Sequence, residues 1–183
     1  MTTIILERLV GDLLRLHGLW LATAESCTGG LIASRITDIP GSSDYFLGGV
    51  VAYANRVKIA QLGVSQATLD EFGAVSQEIV LQMALGARER FGADLGLAVS
   101  GIAGPSGGTP EKPVGLTWIG LSAAASSAGR SDFLAAWSYL WPGNRLQVKS
   151  QTADQALRLL HEYLSELTPS GRVPPPPPKA PAS

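Results

Sequence analysis

The feature that most constrains the fold is the alternation of two hydrophobic patterns along the first hundred residues. Apolar residues at helical spacing alternate there with short continuous apolar runs, which are typical of buried strands. The periodic segments predict helices over 6–18, 30–37, 56–62, 65–72 and 76–91, and Asn55 is the predicted cap of the third of these. The continuous runs predict buried strands over 20–24, 46–54 and 95–100. This order of elements is typical of a layered α/β domain.

The second half of the chain changes the prediction for the sheet. Segments 114–121 and 132–140 read as two strands joined by a loop of small residues, which favours an antiparallel hairpin. A long helix is predicted over 144–167. We therefore expect a three-layer α/β/α sandwich with a mixed sheet over residues 1–167. The remainder, 168–183, contains five consecutive prolines and is expected to be an extended tail.

Composition excludes several classes of function. The net charge of the 183 residues is -1, and no basic stripe is present, so nucleic acid is not an expected partner. Cys27 is the only cysteine, which excludes an internal disulfide and a cysteine-rich zinc site. No window has the roughly 18 consecutive apolar residues of a membrane span. The first residues lack the pattern of a signal peptide, so the cytoplasm is the expected location, with no membrane partner.

Ser26 lies where the first predicted strand gives way to a helix. Backbone N–H groups and the positive end of a helix dipole favour an anionic ligand or a developing oxyanion at such a junction. Ser26 itself can be a helix cap or a nucleophile, and its spacing favours the cap. Cys27 is a rival nucleophile, although an unpaired cysteine is most often a small buried apolar residue.

A nucleophilic hydroxyl needs a base, and the sequence offers few. His17 and His161 both lie in amphipathic helical patterns and are interpreted as surface or packing residues, so a serine–histidine–aspartate triad is not expected. Lys58 follows a predicted strand and becomes a base only if burial or a neighbouring cation such as Arg56 lowers its pKa. The alternative, a solvated lysine on a surface helix, stays open at this point.

Clustered glycines follow or interrupt the predicted strands. Gly48 and Gly49 within a strand indicate a bulge or a close approach of backbone to another group. Segment 100–108 is rich in glycine, but no Gly-Lys-Ser/Thr follows, so it is not a nucleotide-triphosphatase loop. Its position at the end of a strand still favours a ligand-binding loop. Lys112 and Arg145 are candidate cations for a phosphate.

Three separate motifs in this sequence resemble the CinA C-terminal domain family. The resemblance covers residues 5 to 166 and rests on Thr23–Gly30, on Gly48–Tyr53 with Asn55 and Lys58, and on Ser100–Pro105 with Gly107, Gly108 and Lys112–Gly115. The chain looks like the stand-alone form of the family, without the N-terminal domain of its longer members. The activity associated with that family is nicotinamide-nucleotide amidase.

The resemblance implies a reaction, a substrate and a set of catalytic residues. The reaction is hydrolysis of nicotinamide mononucleotide to nicotinate mononucleotide and ammonia, in pyridine-nucleotide salvage, with no cofactor and no metal. By the same resemblance Ser26 is the nucleophile, Lys58 its general base and Tyr53 a nearby helper. A small nucleotide is thus the expected ligand, and a homodimer is the expected assembly.

The resemblance also implies which residues bind the substrate. The N–H groups around the turn are expected to stabilise the oxyanion, and the glycines to let backbone approach the ribose and phosphate. These positions are Thr28, Gly29, Gly30, Gly48, Gly49, Gly101 and Gly104. Arg145 matches a family arginine and is expected to bind the phosphate, whereas Lys149 stands where members commonly have a second arginine.

Two alternatives to this function remain at the level of sequence. The first is a nucleotide-binding module without catalytic activity that keeps the glycine loops for ligand capture. The second is an amidase for another small amide, which keeps the chemistry and changes the substrate. The presence of Ser26, Tyr53 and Lys58 together argues against the first alternative, since a module that only binds has no need of all three.

Overall fold

The structure is a computed structural model that describes residues 6–125 and 132–167. Its helices in these ranges are α1 (Leu6–His17), α2 (Leu31–Thr37), α3 (Asn55–Leu62), α4 (Gln66–Phe72), α5 (Gln77–Phe91) and α6 (Arg145–Ser165). The strands are β1 (Leu21–Glu25), β2 (Phe46–Val51), β3 (Leu95–Gly101), β4 (Leu116–Ala123) and β5 (Phe133–Leu140). None of the helices in these ranges is long and apolar enough to cross a membrane.

The five strands form one mixed sheet in the order β2-β1-β3-β4-β5. Strand β1 runs parallel to both of its neighbours, β2 and β3. Strand β4 is antiparallel to both of its neighbours, β3 and β5. The antiparallel pairing of β4 with β5 confirms the predicted hairpin, and the combination with the parallel strands confirms the mixed sheet. As the carboxyl ends of parallel strands meet at one edge of a sheet, the residues that follow β1, β2 and β3 lie close together.

Helices cover both faces of the sheet, as the three-layer prediction requires. One core cluster contains residues of α1, α2 and α6 against one face, among them Leu14, Ile32 and Leu160. The other contains residues of α5 against the opposite face, among them Ile79 and Met83. Strand β1 separates the two clusters and is buried along its whole length.

Glycines of the sheet let α5 pack closely onto its face. A Cβ placed on Gly96 of β3 would lie 2.0 Å from the carbonyl oxygen of Ala84, and one on Gly120 of β4 would lie 2.7 Å from that of Val80. Separations under 3 Å do not occur for real Cβ atoms, so these positions require glycine. Part of the glycine content therefore serves helix–sheet packing.

Most predicted helix starts are confirmed, and one is wrong. Ser65, Ser76 and Asn144 each accept hydrogen bonds from backbone N–H groups of the helix that follows. Asn55 does not cap α3, because the cap position is Ala54 in extended conformation and Asn55 is already the first helical residue. The predicted strand 46–54 is also too long, since β2 ends at Val51. Segment 126–131 of the hairpin loop and the predicted tail lie outside the described residues.

Candidate active site

Ser26 lies immediately after β1, between the ends of its two neighbouring strands. Its N–H donates to the carbonyl oxygen of Val99 on β3 at 3.0 Å. Its own carbonyl oxygen accepts the N–H of Gly29 at 3.1 Å, which closes a turn after the strand. The backbone of Ser26 is thus held from both sides, and the residue is only 8% exposed. Ser26 caps no helix, because the residue before α2 is Gly30.

Lys58 reaches Ser26 from the first turns of α3. Its Nζ lies 3.1 Å from Ser26 Oγ, 2.9 Å from the carbonyl oxygen of Ala52 and 3.5 Å from that of Tyr53. Lys58 is 1% exposed, and it forms no ion pair with a carboxylate among the described residues. The side chain is therefore a buried amine held by one hydroxyl and two backbone carbonyls. The interpretation as a solvated surface lysine is wrong.

Burial shifts the pKa of the two titratable groups beside the serine, Lys58 and Cys27. Removal from water disfavours the ammonium ion, so burial lowers the pKa of Lys58 from its ordinary 10.5. The nearby Cys27 opposes this shift only as a thiolate. Burial raises the pKa of Cys27 to about 12, and so the thiol stays protonated at neutral pH. The site combines a weakly basic amine with an unreactive thiol.

A cavity of about 180 Å³ opens in front of Ser26 and Lys58. Cys27, Tyr53, Arg145, Ser100 and Gly101 also line it. Ser100 is buried, and its hydroxyl donates to the carbonyl oxygen of Ala74, which fixes the wall formed by the segment between α4 and α5. No aspartate or glutamate is among the described residues of this lining. The described lining thus contains the Arg145 guanidinium and the Lys58 amine but no anionic side chain.

Arg145 and Tyr53 bridge the rim of the cavity. Arg145, the first residue of α6, donates from Nη1 to the carbonyl oxygen of Gly104 at 2.9 Å and from Nη2 to the Tyr53 hydroxyl at 2.7 Å. Tyr53 is 60% exposed. Lys149, one turn further along α6, approaches Gly29, where a Cβ would lie 3.7 Å from its Nζ. Arg145 therefore lines the cavity, and Lys149 lies beside the turn that follows Ser26.

The turn after Ser26 is also fixed by a residue that the sequence analysis did not select. The carboxylate of Glu25 accepts the N–H groups of Gly30, Ile32 and Ala33 at 3.0, 3.1 and 2.8 Å. The sequence did contain a signal, because a helix that begins after two glycines has no capping side chain of its own. A nearby carboxylate is the natural acceptor for those N–H groups.

The structure places the predicted glycines in two different kinds of environment. Gly101 lines the cavity, and Gly104 presents its carbonyl oxygen to Arg145. Gly48 and Gly49 are outside the cavity lining. A Cβ on Gly48 would lie 3.2 Å from the Phe91 ring, and one on Gly49 would lie 2.1 Å from Thr23 Oγ1. On their Cβ sides both glycines face protein atoms and so serve packing next to the bulge in β2, while their part in binding ribose and phosphate stays a prediction.

The predicted oxyanion donors also divide into two sets. The N–H groups of Gly29 and Gly30 already donate to Ser26 and Glu25, so neither is available to an oxyanion in this structure. The N–H groups of Cys27 and Thr28 donate to no backbone carbonyl among the described hydrogen bonds, but both hydrogen-bond to the Cys27 sulfur, which partly offsets the rise that burial causes in the pKa of its thiol. Thr28 is buried, and its hydroxyl has no partner within the described part of the chain.

The remaining predicted side chains lie away from this site. His17 is buried, and its Nε2 lies 3.0 Å from the carbonyl oxygen of Leu164, so it is a packing residue as expected. Lys112 donates to the carbonyl oxygen of Phe72 and is not part of the cavity lining. Across residues 6–125 and 132–167, no cluster of three or more histidine, cysteine or acidic side chains could hold a metal ion.

The fold and the site define an α/β domain with a buried serine–lysine pair at the carboxyl ends of its central strands. The chain belongs to the CinA C-terminal domain family, whose sequence model matches residues 4–164. A CinA-like protein of Chloroherpeton thalassium is 48% identical over 160 residues, which cover 87% of this chain and 37% of the relative. This chain spans 36% to 39% of the length of the curated relatives it matches first.

Solved structures give the same assignment. The competence/damage inducible protein CihA from Agrobacterium tumefaciens has a TM-score of 0.80 at 39% identity, over 88% of this chain and 96% of that chain. The competence damage-inducible protein A from Klebsiella pneumoniae has a TM-score of 0.82 at 31% identity, over 89% and 97%. The similarity therefore covers nearly all of each solved chain, and the three-layer α/β fold is that of the family.

Proposed function

We propose that this protein is a serine–lysine amidohydrolase whose substrate is nicotinamide mononucleotide. The observation that carries the proposal is the contact between Lys58 Nζ and Ser26 Oγ, 3.1 Å apart, with Lys58 1% exposed. A general base must lie within hydrogen-bond reach of the proton it removes, and its pKa must fall toward neutrality. Lys58 meets the first condition, and its burial acts in the direction of the second.

The contacts of Lys58 orient its lone pair. A neutral amine has two N–H donors and one lone pair. The carbonyl oxygens of Ala52 and Tyr53 accept the two donors, which directs the lone pair toward the Ser26 hydroxyl. Burial with carbonyls and without a carboxylate is what keeps an amine neutral, because an ion pair would favour the ammonium form. Lys58 is suited to accept the Ser26 proton for this reason.

The reaction then proceeds in two halves. Ser26 Oγ attacks the carboxamide carbon, its proton passes to Lys58, and the carbonyl oxygen becomes an oxyanion. Lys58 gives that proton to the departing nitrogen, so the C–N bond breaks and ammonia leaves an acyl-serine. Water attacks the acyl group while Lys58 takes a proton from it, and the proton returns to Ser26 as nicotinate mononucleotide leaves.

The oxyanion is assigned to the turn that carries the nucleophile. Because Gly29 and Gly30 already have oxygen acceptors, we assign the oxyanion to the N–H groups of Cys27 and Thr28, whose acceptor in this structure is only the weakly accepting Cys27 sulfur. Backbone N–H groups next to a nucleophile recur as oxyanion donors in unrelated serine hydrolases. The loss of one such donor typically costs about 10²–10³ in kcat.

Cations at the rim support an anionic substrate. Arg145 lines the cavity, Lys149 lies beside the turn after Ser26, and the described lining contains no carboxylate. Arg145 can exchange its bond to the Tyr53 hydroxyl for a bond to a phosphate oxygen, while Lys149 supplies a point charge. Tyr53 is then released toward the bound ligand. These features favour a phosphorylated amide over a neutral one.

The test is ammonia release from nicotinamide mononucleotide by the wild type, Ser26→Ala and Lys58→Met. Lys58→Met keeps the buried aliphatic stem and removes only the base. Matched controls are Ser122→Ala, a buried serine of β4, and Lys112→Met, a lysine outside the cavity lining. We expect at least about a 10³-fold loss of kcat in the first two variants, and wild-type rates in the controls.

Other outcomes would select an alternative. A wild type that binds the nucleotide without releasing ammonia would favour a binding module without catalytic activity. Ammonia release from nicotinamide or another amide, but not from the mononucleotide, would keep the chemistry and change the substrate. Activity that survives in folded Ser26→Ala would contradict the mechanism.

A further inference from the structure

We propose that Glu25 is a positioning residue for the reaction, in that its carboxylate sets the conformation of the turn that carries Ser26. The inference rests on the proposed amidohydrolase function. Glu25 is 1% exposed and forms no ion pair with a cation among the described residues. Its side-chain acceptors are used instead by three backbone N–H groups of the turn and of α2.

A buried carboxylate without a cation is costly unless its oxygens are hydrogen-bonded. Glu25 Oε2 accepts the N–H groups of Gly30 and Ile32, and Oε1 accepts that of Ala33. Helix α2 has only seven residues and no capping side chain at Gly30. A helix this short depends on tertiary contacts for its stability. The carboxylate therefore supplies the capping that the turn sequence lacks.

The same residue anchors the turn at its other end. The backbone of Glu25 pairs with both β2 and β3, opposite Val51 and Val99. The Glu25 carbonyl oxygen also accepts the N–H of Ala52 at 2.7 Å. Main chain and side chain of this one residue thus hold both ends of segment 26–30. Ser26 and the N–H groups of Cys27 and Thr28 lie between these two anchors.

Glu25 is also connected by hydrogen bonds, through Ala52, to the proposed general base Lys58. The N–H of Ala52 donates to Glu25, while the carbonyl oxygen of Ala52 accepts from Lys58 Nζ at 2.9 Å. Lys58 Nζ in turn contacts Ser26 Oγ, directly after Glu25 in the chain. Glu25, Ala52, Lys58 and Ser26 form a closed circuit. Loosening the turn is expected to lengthen the Ser26–Lys58 contact, and small displacements of reacting groups slow a reaction strongly.

The test compares two buried glutamates that both contact α2. Glu25→Gln keeps the shape of the side chain but has one acceptor oxygen, so its amide nitrogen faces a backbone N–H donor. Glu7→Gln is the matched control, because Glu7 is also buried and its carboxylate pairs with the Arg35 side chain of α2. Hydrogen exchange of segment 26–33 and the kcat and KM for ammonia release are measured in both variants.

We expect Glu25→Gln to raise the exchange rate of segment 26–33 at least about tenfold, with the sheet unchanged, because the turn loses its fixed acceptor. The kcat is expected to fall at least about tenfold and KM to change less than about threefold, since positioning acts on the chemical step. Glu7→Gln should leave the exchange of segment 26–30 and the kcat within about twofold of the wild type.

Wild-type kcat in folded Glu25→Gln would overturn the proposal, and so would a loss of kcat with unchanged exchange of the turn. If Glu25→Gln does not fold, Glu25→Asp, which keeps the charge on a shorter side chain, is measured in the same way. Failure of both variants to fold would also overturn it, because Glu25 would then stabilise the whole sheet. A wild type that releases no ammonia contradicts the substrate proposal, whereas the exchange comparison still decides whether Glu25 fixes the turn.

Discussion

At the scale of single residues, the chemistry of this site depends on which charges are absent. Lys58 is buried against carbonyl oxygens, and a carboxylate in the place of either carbonyl would favour its ammonium form. Cys27 is equally buried, but its neutral form is the unreactive one. Desolvation therefore favours the neutral amine of Lys58, which can accept a proton, and the neutral thiol of Cys27, which is a poor nucleophile.

The pH dependence of the reaction tests the role of Lys58. Only the neutral amine accepts a proton, so kcat/KM is expected to rise with pH through the pKa of Lys58, which burial places below 10.5. Lys58→Arg should abolish the activity, because a guanidinium stays protonated at every accessible pH. A kcat/KM that does not change with pH, or a rise that persists in Lys58→Met, would contradict the assignment.

The reactivity of Cys27 gives a second residue-scale prediction. Its pKa is raised from 9.0 to about 12, so the folded protein holds far less thiolate at pH 8 than the unfolded chain. We expect alkylation by iodoacetamide to be at least about 100-fold slower in the native protein than in urea, as the thiolate is the attacking species. Mass spectrometry of the only cysteine follows the reaction. Equal rates would show that the thiol is not desolvated as described.

At the scale of elements, helix α5 and helix α6 have different tasks. Helix α5 packs on glycines of the sheet and closes one core, while the first turn of α6 brings Arg145 to the rim of the cavity. A capping box on Asn144 and Gln147 fixes where α6 begins and therefore where Arg145 points. The position of that guanidinium is a consequence of helix capping.

A glycine inside α5 provides the stability prediction for this scale. Alanine normally stabilises a helix interior relative to glycine, but a Cβ on Gly86 would lie 1.9 Å from the carbonyl oxygen of Leu62 on α3. We expect Gly86→Ala to lower the free energy of unfolding by about 2 kcal/mol or more. Gly63→Ala is the control, since a Cβ there meets no atom within 4 Å, and its φ of +66° should cost about 1 kcal/mol. Urea denaturation measures both.

A double-mutant cycle separates two roles for Tyr53. If its hydroxyl acts by orienting Arg145, Tyr53→Phe should lower kcat/KM about tenfold in the wild type and less than about threefold in an Arg145→Ala background. The ring is kept in this variant, so packing is unchanged. A full loss in both backgrounds would show that the hydroxyl acts on the reaction independently of Arg145.

At the scale of the whole molecule, the sheet order brings distant segments into one site. Ser26, Lys58, Gly101 and Arg145 come from the ends of β1 and β3, from α3 and from α6. Their arrangement depends on the parallel pairing of β1 with β2 and β3. The homodimer implied by the family resemblance stays a prediction, which a molar mass determined by light scattering tests.

The lowered pKa of Lys58 should also make the stability of the whole molecule depend on pH. Between the lowered pKa of folded Lys58 and 10.5, the unfolded chain binds more protons than the folded one, so the free energy of unfolding rises with pH. Lys58→Met should have a flatter profile between pH 6 and about 8, where the Cys27 thiol is largely protonated in both the folded and the unfolded chain. Denaturant titrations across that range measure the two slopes, and identical slopes would contradict the lowered pKa.

The layers and many of the element bounds could be predicted from local sequence signals, namely the hydrophobic period, the helix caps and the turn residues. Ser65 and Ser76 show this, since each caps the helix predicted to follow it. Family motifs also selected Ser26, Lys58 and Arg145 for one site, but spacing alone favoured a cap and a solvated lysine.

The chemical environment of those residues, in contrast, arises from contacts between segments that are distant in sequence. The burial of Lys58, the engagement of Gly29 and Gly30 by internal acceptors and the packing of Gly48 against Phe91 each depend on groups far apart in the chain. Glu25 was not predicted as a site residue for the same reason. Its carboxylate caps α2 only because the folded turn brings the N–H groups of Gly30, Ile32 and Ala33 to it. Desolvation and hydrogen-bond partners are properties of the packed chain, whereas periodicity and capping are properties of its segments.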